Sequence, residues 1–240
     1  MKRKKVVNRH FSKRKGDSNM KIMKVNFFSY DKTGKMAIKV VENDDVRFFG
    51  FVKSSTKLTE EMDGIAYSFL NELFSVWTER YHSIFWKEHS CEFRYESLKR
   101  LELMASKLIK EKGIDPEKTK MSITAACIFP RKEKSFWLNT GSEMIYVDTE
   151  RNVLIRSTSK KKELATVKAQ SIFSADKDFS WKAEGGVIDT PRTFWIVSSE
   201  FSEFFEEFMT KRGGTLSREE FNAFSHGRKK PIIIGEINGD

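Results

Sequence analysis

The side chains from which most sites are built are sparse in this sequence. It holds four His and two Cys in 240 residues. His82 and His89 stand seven apart, with Glu79 and Glu88 nearby. A metal on one helix face needs an i, i+4 pair with inward carboxylates, so surface histidines are expected here. Cys91 and Cys127 form no CxxC and have no evident basic or His partner. That excludes a disulfide scaffold and a zinc knuckle, fits a reducing compartment, and leaves buried or incidental thiols as the expectation. Ser198 and Ser199 lack a Gly-x-Ser-x-Gly elbow. Gly185-Gly186 and Gly213-Gly214 read as turns without a phosphate-loop context. Charge is more informative. Lys53 follows the run Phe48-Phe49-Gly50-Phe51-Val52, and Arg228-Lys229-Lys230 stands just before the apolar run Ile232–Ile237. Ammonium and guanidinium groups donate to carboxylate or phosphate and have no lone pair for a metal.

The largest cationic cluster lies at the start of the chain. Residues 1–24 hold ten of the 44 Lys and Arg, among them Lys2, Arg3, Lys4, Lys5, Arg9, Lys13, Arg14 and Lys15, with one acid, Asp17. Their net charge of +9 leaves +1 for the rest of a chain that totals +10. The body is therefore nearly neutral, and the basicity belongs to an arm. Residues 1–23 lack hydrophobic periodicity and are expected to be disordered in isolation, followed by one domain over residues 24–240. Three roles stay open for the arm: a solvated tail, a phosphate-neutralising arm on nucleic acid, or a receptor-read address. Arg9, His10 and Phe11 interleave charge with an aromatic ring, as nucleic-acid contacts do. With 39% hydrophobic residues, 21 Phe and 5 Trp, the body has ample apolar area for a core. No run approaches the ~20 apolar residues of a membrane helix, and an intracellular, cytoplasmic protein is expected.

Strands and helices must position these groups. Lys24–Tyr30, Met36–Val41 and Val46–Val52 read as three strands of an antiparallel meander, joined by turns at Asp31-Lys32-Thr33-Gly34 and Asn43-Asp44-Asp45. Thr59 followed by Glu60 and Glu61 starts a helix. Apolar residues at three- and four-residue steps from Met62 to Phe85 give it roughly 25–30 residues. A second helix spans about Phe93 to Lys112, stopped by Gly113 and Pro116. Ser122–Phe129, Ser135–Asn139, Met144–Asp148 and Val153–Arg156 read as a second meander. Residues 157–191 read as irregular, with weak strand character at Phe179–Ala183. Thr193–Val197 is a buried strand, Ser202–Lys211 a helix with Phe204, Phe205 and Phe208 inward, and Ser217 with Glu220 a capping box. Ile232–Ile237 is a last strand. Two antiparallel sheets packed face to face, with helices outside, would bury both sets of strands.

This order resembles the PPM family of metal-dependent Ser/Thr protein phosphatases, over about residues 24–238. Thr124-Ala125-Ala126 looks like the family's Ala-Thr-Ala strand. Phe136-Trp137-Leu138-Asn139-Thr140-Gly141-Ser142-Glu143-Met144-Ile145-Tyr146 looks like its Asn-Val-Gly-Asp-Ser-Arg hairpin. Phe194-Trp195-Ile196-Val197-Ser198-Ser199-Glu200-Phe201 looks like the strand ending in Ser/Thr-Asp-Gly-Leu. The resemblance implies an α+β fold, a four-layer αββα sandwich of two antiparallel sheets flanked by helices. Short bacterial members of the stress-response regulatory branch are closest in length. In the family, aspartates hold two divalent ions whose bridging water attacks phosphorus, and such hard ions need carboxylate oxygens.

The resemblance also implies that this chemistry is missing. Lys53-Ser54 stands at the first Asp-Gly, Ser199-Glu200 at the second, and Arg228-Lys229-Lys230 at the terminal acidic pair. The expectation is a catalytically inactive, pseudophosphatase-like regulatory module that binds protein partners and carries no cofactor. Two further roles stay open: a nucleic-acid or ribonucleoprotein component that uses the arm, and a hydrolase with displaced ligands. Lys53 and the Arg228–Lys230 run are either solvated loop charges or a docking point for a phosphorylated segment.

Overall fold

Alternation along β3 (Arg47–Ser54) sets the layering. Side chains of a strand point to opposite faces in turn. Phe48 and Val52 join a core with the first two helices, while Phe49 and Phe51 join a second core shared with another sheet. A strand apolar on both faces must be covered on both. The computed structural model of the chain describes residues 24–82, 90–116, 118–148, 154–156, 172, 183–189, 193–212 and 216–239. Among these, ten strands form two five-stranded antiparallel sheets. The first has the order β2 (Met36–Glu42), β3, β4 (Met121–Phe129), β5 (Lys134–Asn139), β8 (Glu184–Asp189). The second has the order β1 (Val25–Tyr30), β10 (Ile232–Asn238), β9 (Thr193–Val197), β6 (Met144–Asp148), β7 (Leu154–Arg156).

Helices α1 (Glu60–Arg80) and α2 (Ser90–Lys112) cover the outer face of the first sheet. Thr59 caps α1 by accepting from the Met62 amide, and three acids occupy its first turn. Ion pairs Arg80–Glu96, Arg100–Glu72 and Lys112–Glu61 run in opposite sequence order along the two helices, so they lie antiparallel. The Trp77 indole donates to Ser97 Oγ at 3.0 Å and packs beside Phe93 and Phe136, which ties both helices to the sheet. Helices α3 (Ser202–Lys211) and α4 (Arg218–Ser225) cover the second sheet through Phe205, Phe208 and Phe221, with Phe204 partly buried. Ser217 and Glu220 form the expected capping box. Three apolar layers between four structural layers make this the expected αββα sandwich.

Nine strands lie close to their expected positions, whereas β8 falls in a stretch expected to be irregular, beyond the weak strand at Phe179–Ala183, and two of the expected pairings differ. β1 leaves the first meander and pairs with β10 of the opposite sheet. The Asp31 carboxylate accepts from the amides of Thr33, Gly34 and Lys35, so this turn carries the chain between sheets and closes no hairpin. Likewise β6 leaves β5 and pairs with β9 and β7. Gly185-Gly186 lies within β8, paired to Leu138 and Trp137, and is not a turn. Helix α1 has 21 residues, fewer than expected, and Ile84 and Phe85 lie outside the described residues. So do most of 157–191, Gly213-Gly214, His89, and the side chain of Cys91.

Candidate functional site

Four charged side chains meet where the inward-facing row of β3 ends, at the edge of the core between the sheets. Lys53 is the last inward-facing residue of β3, two positions beyond Phe51, and pairs across the sheet with Met36 and Ser122. Its ammonium lies 2.7 Å from Glu143 Oε1 and 3.6 Å from Glu200 Oε2. Lys230 reaches the other oxygen, Glu200 Oε1, at 3.3 Å. The series Glu143–Lys53–Glu200–Lys230 therefore alternates in sign. It grades from buried to wet: Glu143 is 1% exposed, Lys53 19%, Glu200 23% and Lys230 72%.

Each carboxylate is held by its own turn. The 139–143 turn is closed by hydrogen bonds on both sides of Asn139. Its Oδ1 accepts from Thr124 Oγ1 and the Gly141 amide, and its Nδ2 donates to the Glu143 carbonyl at 2.7 Å. Thr140 Oγ1 accepts from the Ile123 amide and anchors the turn to β4. Gly141 passes so near Ser122 that an added Cβ would stand 3.1 Å from its hydroxyl. Ser142 Oγ then donates to Glu143 Oε2, so both oxygens of this buried carboxylate are satisfied. Glu200 sits in the one-turn 3-10 helix Ser199–Phe201 at the end of β9. The Ile233 amide donates to Ser198 Oγ at 2.7 Å, which fixes this turn against β10.

The electrostatics follow from the geometry. Burial pulls the Lys53 ammonium toward neutrality, but the charge and hydrogen bond of Glu143, joined by Glu200, outweigh it and raise it above its ordinary 10.5. Burial likewise raises the Glu200 carboxyl, but Lys53, a backbone amide and Lys230 together hold it below its ordinary 4.5. Both groups stay charged at neutral pH.

Of the residues singled out in the sequence, Lys53, Glu200 and Lys230 come together here. Ser199 donates to Glu200 Oε2 at 3.2 Å. Ser54 faces the other way and accepts from the Thr56 amide. Arg228 stacks over Phe224 at 4.6 Å, and Lys229 is exposed. The cations of the arm from Lys2 to Lys15 lie outside the described residues. Cys127 is buried, and burial raises its thiol well above the ordinary value, against a role as nucleophile. His82 is exposed beyond the end of α1. Glu143, the deepest member of the network, is not singled out by the sequence pattern as a site residue. Its one sequence signal is its place two residues after the Asn-Thr-Gly of the hairpin.

No family model matches this sequence, and no curated protein does. Solved structures do match. A variant of a bacterial serine phosphatase is similar at TM-score 0.59 and 12% identity, over 91% of this chain and 99% of that one. RsbX in complex with magnesium is similar at 0.55 and 8%, over 88% and 92%. A structure from the bacterial stressosome, a modular system adapted to control secondary messenger signalling, is similar at 0.54 and 9%, over 89% and 97%. At such identities the likeness establishes the fold, and the fold is that of the PPM-type phosphatases. The four side chains that meet here, two carboxylates held against two ammoniums, do not suit the divalent ions implied by that fold. Among the described residues no group of three or more His, Cys, Asp or Glu converges to hold a metal. The two carboxylates that do approach each other share an ammonium.

Proposed function

We propose that this chain is a pseudophosphatase: a PPM-fold protein without phosphatase activity that acts as a regulatory, protein-binding module. One observation carries the reading. The Lys53 ammonium lies within 2.7 Å of Glu143 and 3.6 Å of Glu200, at the position that the sequence resemblance pairs with a metal-ligating aspartate. An ammonium there opposes a divalent ion by charge and offers it no lone pair. The two lysines and two glutamates of the network are formally neutral together, which leaves the exposed Arg228 and Lys229 as the neighbouring cations for a phosphorylated segment. A regulatory role is supported by the fold's occurrence in a bacterial stressosome structure. The test is phosphate release from a phosphoserine peptide by the full chain in manganese or magnesium. A rate equal to the protein-free control is expected, and an ion-dependent, saturable rate would overturn the proposal.

A second reading rests on charge alone. Residues 1–24 carry +9 on a chain of net +10, which supports a nucleic-acid-binding role for the arm. It is compatible with the first reading, because one uses the arm and the other the folded body. Recovering the native complex with and without residues 1–20 separates them. Nucleic acid lost on deletion supports the second reading, and protein retained on deletion supports the first.

A further inference from the structure

The ion network joins the two sheets through a single atom. Lys53 belongs to the first sheet, Glu200 follows β9 in the second, and Glu143 ends the turn that leaves β5 of the first sheet for β6 of the second. Strands β6 and β9 are neighbours, with Met144 opposite Val197, so their turns bring two carboxylates to one place. Two carboxylates at close range repel unless a cation stands between them. One of them is almost wholly buried, where an unmatched charge is costly. The shape of each turn is set without Lys53. Asn139, Thr140 and Ser142 fix one turn, and Ser198 fixes the other. What the turns create is an anionic site with a tethered occupant.

We propose that the Lys53 ammonium is a covalently attached substitute for a divalent cation, clamping the β9 turn to β3 and to the 139–143 turn, and that exchanging it for a carboxylate turns the same place into a manganese site that holds the fold together. This rests on the pseudophosphatase reading but goes beyond loss of activity. It assigns the lysine a structural task and makes indifference to divalent ions a property of one side chain. Lys53→Asp would leave three carboxylates converging from three segments, with the exposed Lys230 as their nearest partner. That donor set suits a hard divalent ion and is unstable without one.

The test is thermal unfolding of the full chain, wild type and Lys53→Asp, in chelator and in about 5 mM manganese chloride. The wild type should melt at one temperature in both. Lys53→Asp should melt lower in chelator and gain about 5–10 °C in manganese, the shift expected for a ligand well above its dissociation constant on a chain of this size. Adding Glu143→Gln to Lys53→Asp should remove most of that gain. If Lys53→Asp does not fold in chelator, refolding on addition of manganese, followed by circular dichroism, replaces the melting shift as the expected result. Lys53→Asp that stays indifferent to manganese, or stays unfolded in it, overturns this inference and leaves the pseudophosphatase reading standing. A wild type that itself gains stability from manganese overturns both.

Discussion

At the scale of single residues, the decisive fact is that Lys53 is matched on both sides. Its contribution to stability has a pH window set by two groups. Glu200 is held below its ordinary 4.5, so its contribution is present above pH 4.5 and is lost as pH falls toward the lowered value. Lys53 is raised above 10.5, so its contribution is present below 10.5 and is lost as pH rises through the raised value. Lys53→Met leaves Glu143 buried without its ammonium partner and should cost about 3 kcal/mol at pH 7, the lower end for a broken buried pair. Urea unfolding across pH checks this: the gap between wild type and Lys53→Met should be flat through neutrality and should narrow at both ends. A gap that ignores pH would show that Lys53 acts by packing its stem. The sequence marked Lys53, Glu200 and Lys230 as anomalous for the resembled family but gave no sign that they pair. Glu143 lies 90 positions from Lys53. Neither partner's local pattern encodes the other, because only the sheet sandwich brings them together.

At the scale of elements, period and capping made helices and strands legible one by one, while sheet membership stayed hidden. A strand's alternation records that its faces are buried and says nothing about which neighbour it pairs with. The apolar runs Val25–Tyr30 and Met36–Glu42, five residues apart, look like a hairpin, yet they belong to different sheets. The diglycine of β8 misled for another reason. Gly186 lies against the Trp137 indole, where an added Cβ would stand 3.1 Å from Nε1, so a pattern typical of turns here makes room for a ring. Gly235 does the same for the central core. It faces inward between Ile233 and Ile237, and a Cβ there would fall within the ring of Phe49. Gly235→Ala should therefore destabilise by about 3 kcal/mol, the upper range for overpacking, and adding Phe49→Leu should restore part of the loss. Chemical denaturation of the two variants measures it. A neutral Gly235→Ala would mean that the sheets sit farther apart at β10 than this packing requires.

At the scale of the whole molecule, a nearly neutral sandwich carries a strongly basic leading segment. If the arm engages nucleic acid with about half of its ten cations, log affinity should fall against log salt with a slope of roughly −3 to −5 and with little sequence preference. Filter binding or anisotropy on the full chain and on a chain lacking residues 1–20 measures both slopes. An unchanged slope after the deletion would place the site on the body. The αββα architecture itself was legible, because two strand-rich segments flanking a helical pair leave few ways to bury every apolar face. It brings the end of β3, the 139–143 turn, the Ser199–Phe201 turn and the segment before β10 to one place, and in this chain they present two glutamates already joined by lysine. The central claim is that this end of the molecule does without divalent ions, and calorimetric titration of manganese into the full wild-type chain tests it most directly. Only heats of dilution are expected. Saturable binding of about two ions per chain, the stoichiometry of a two-metal hydrolase, would contradict it.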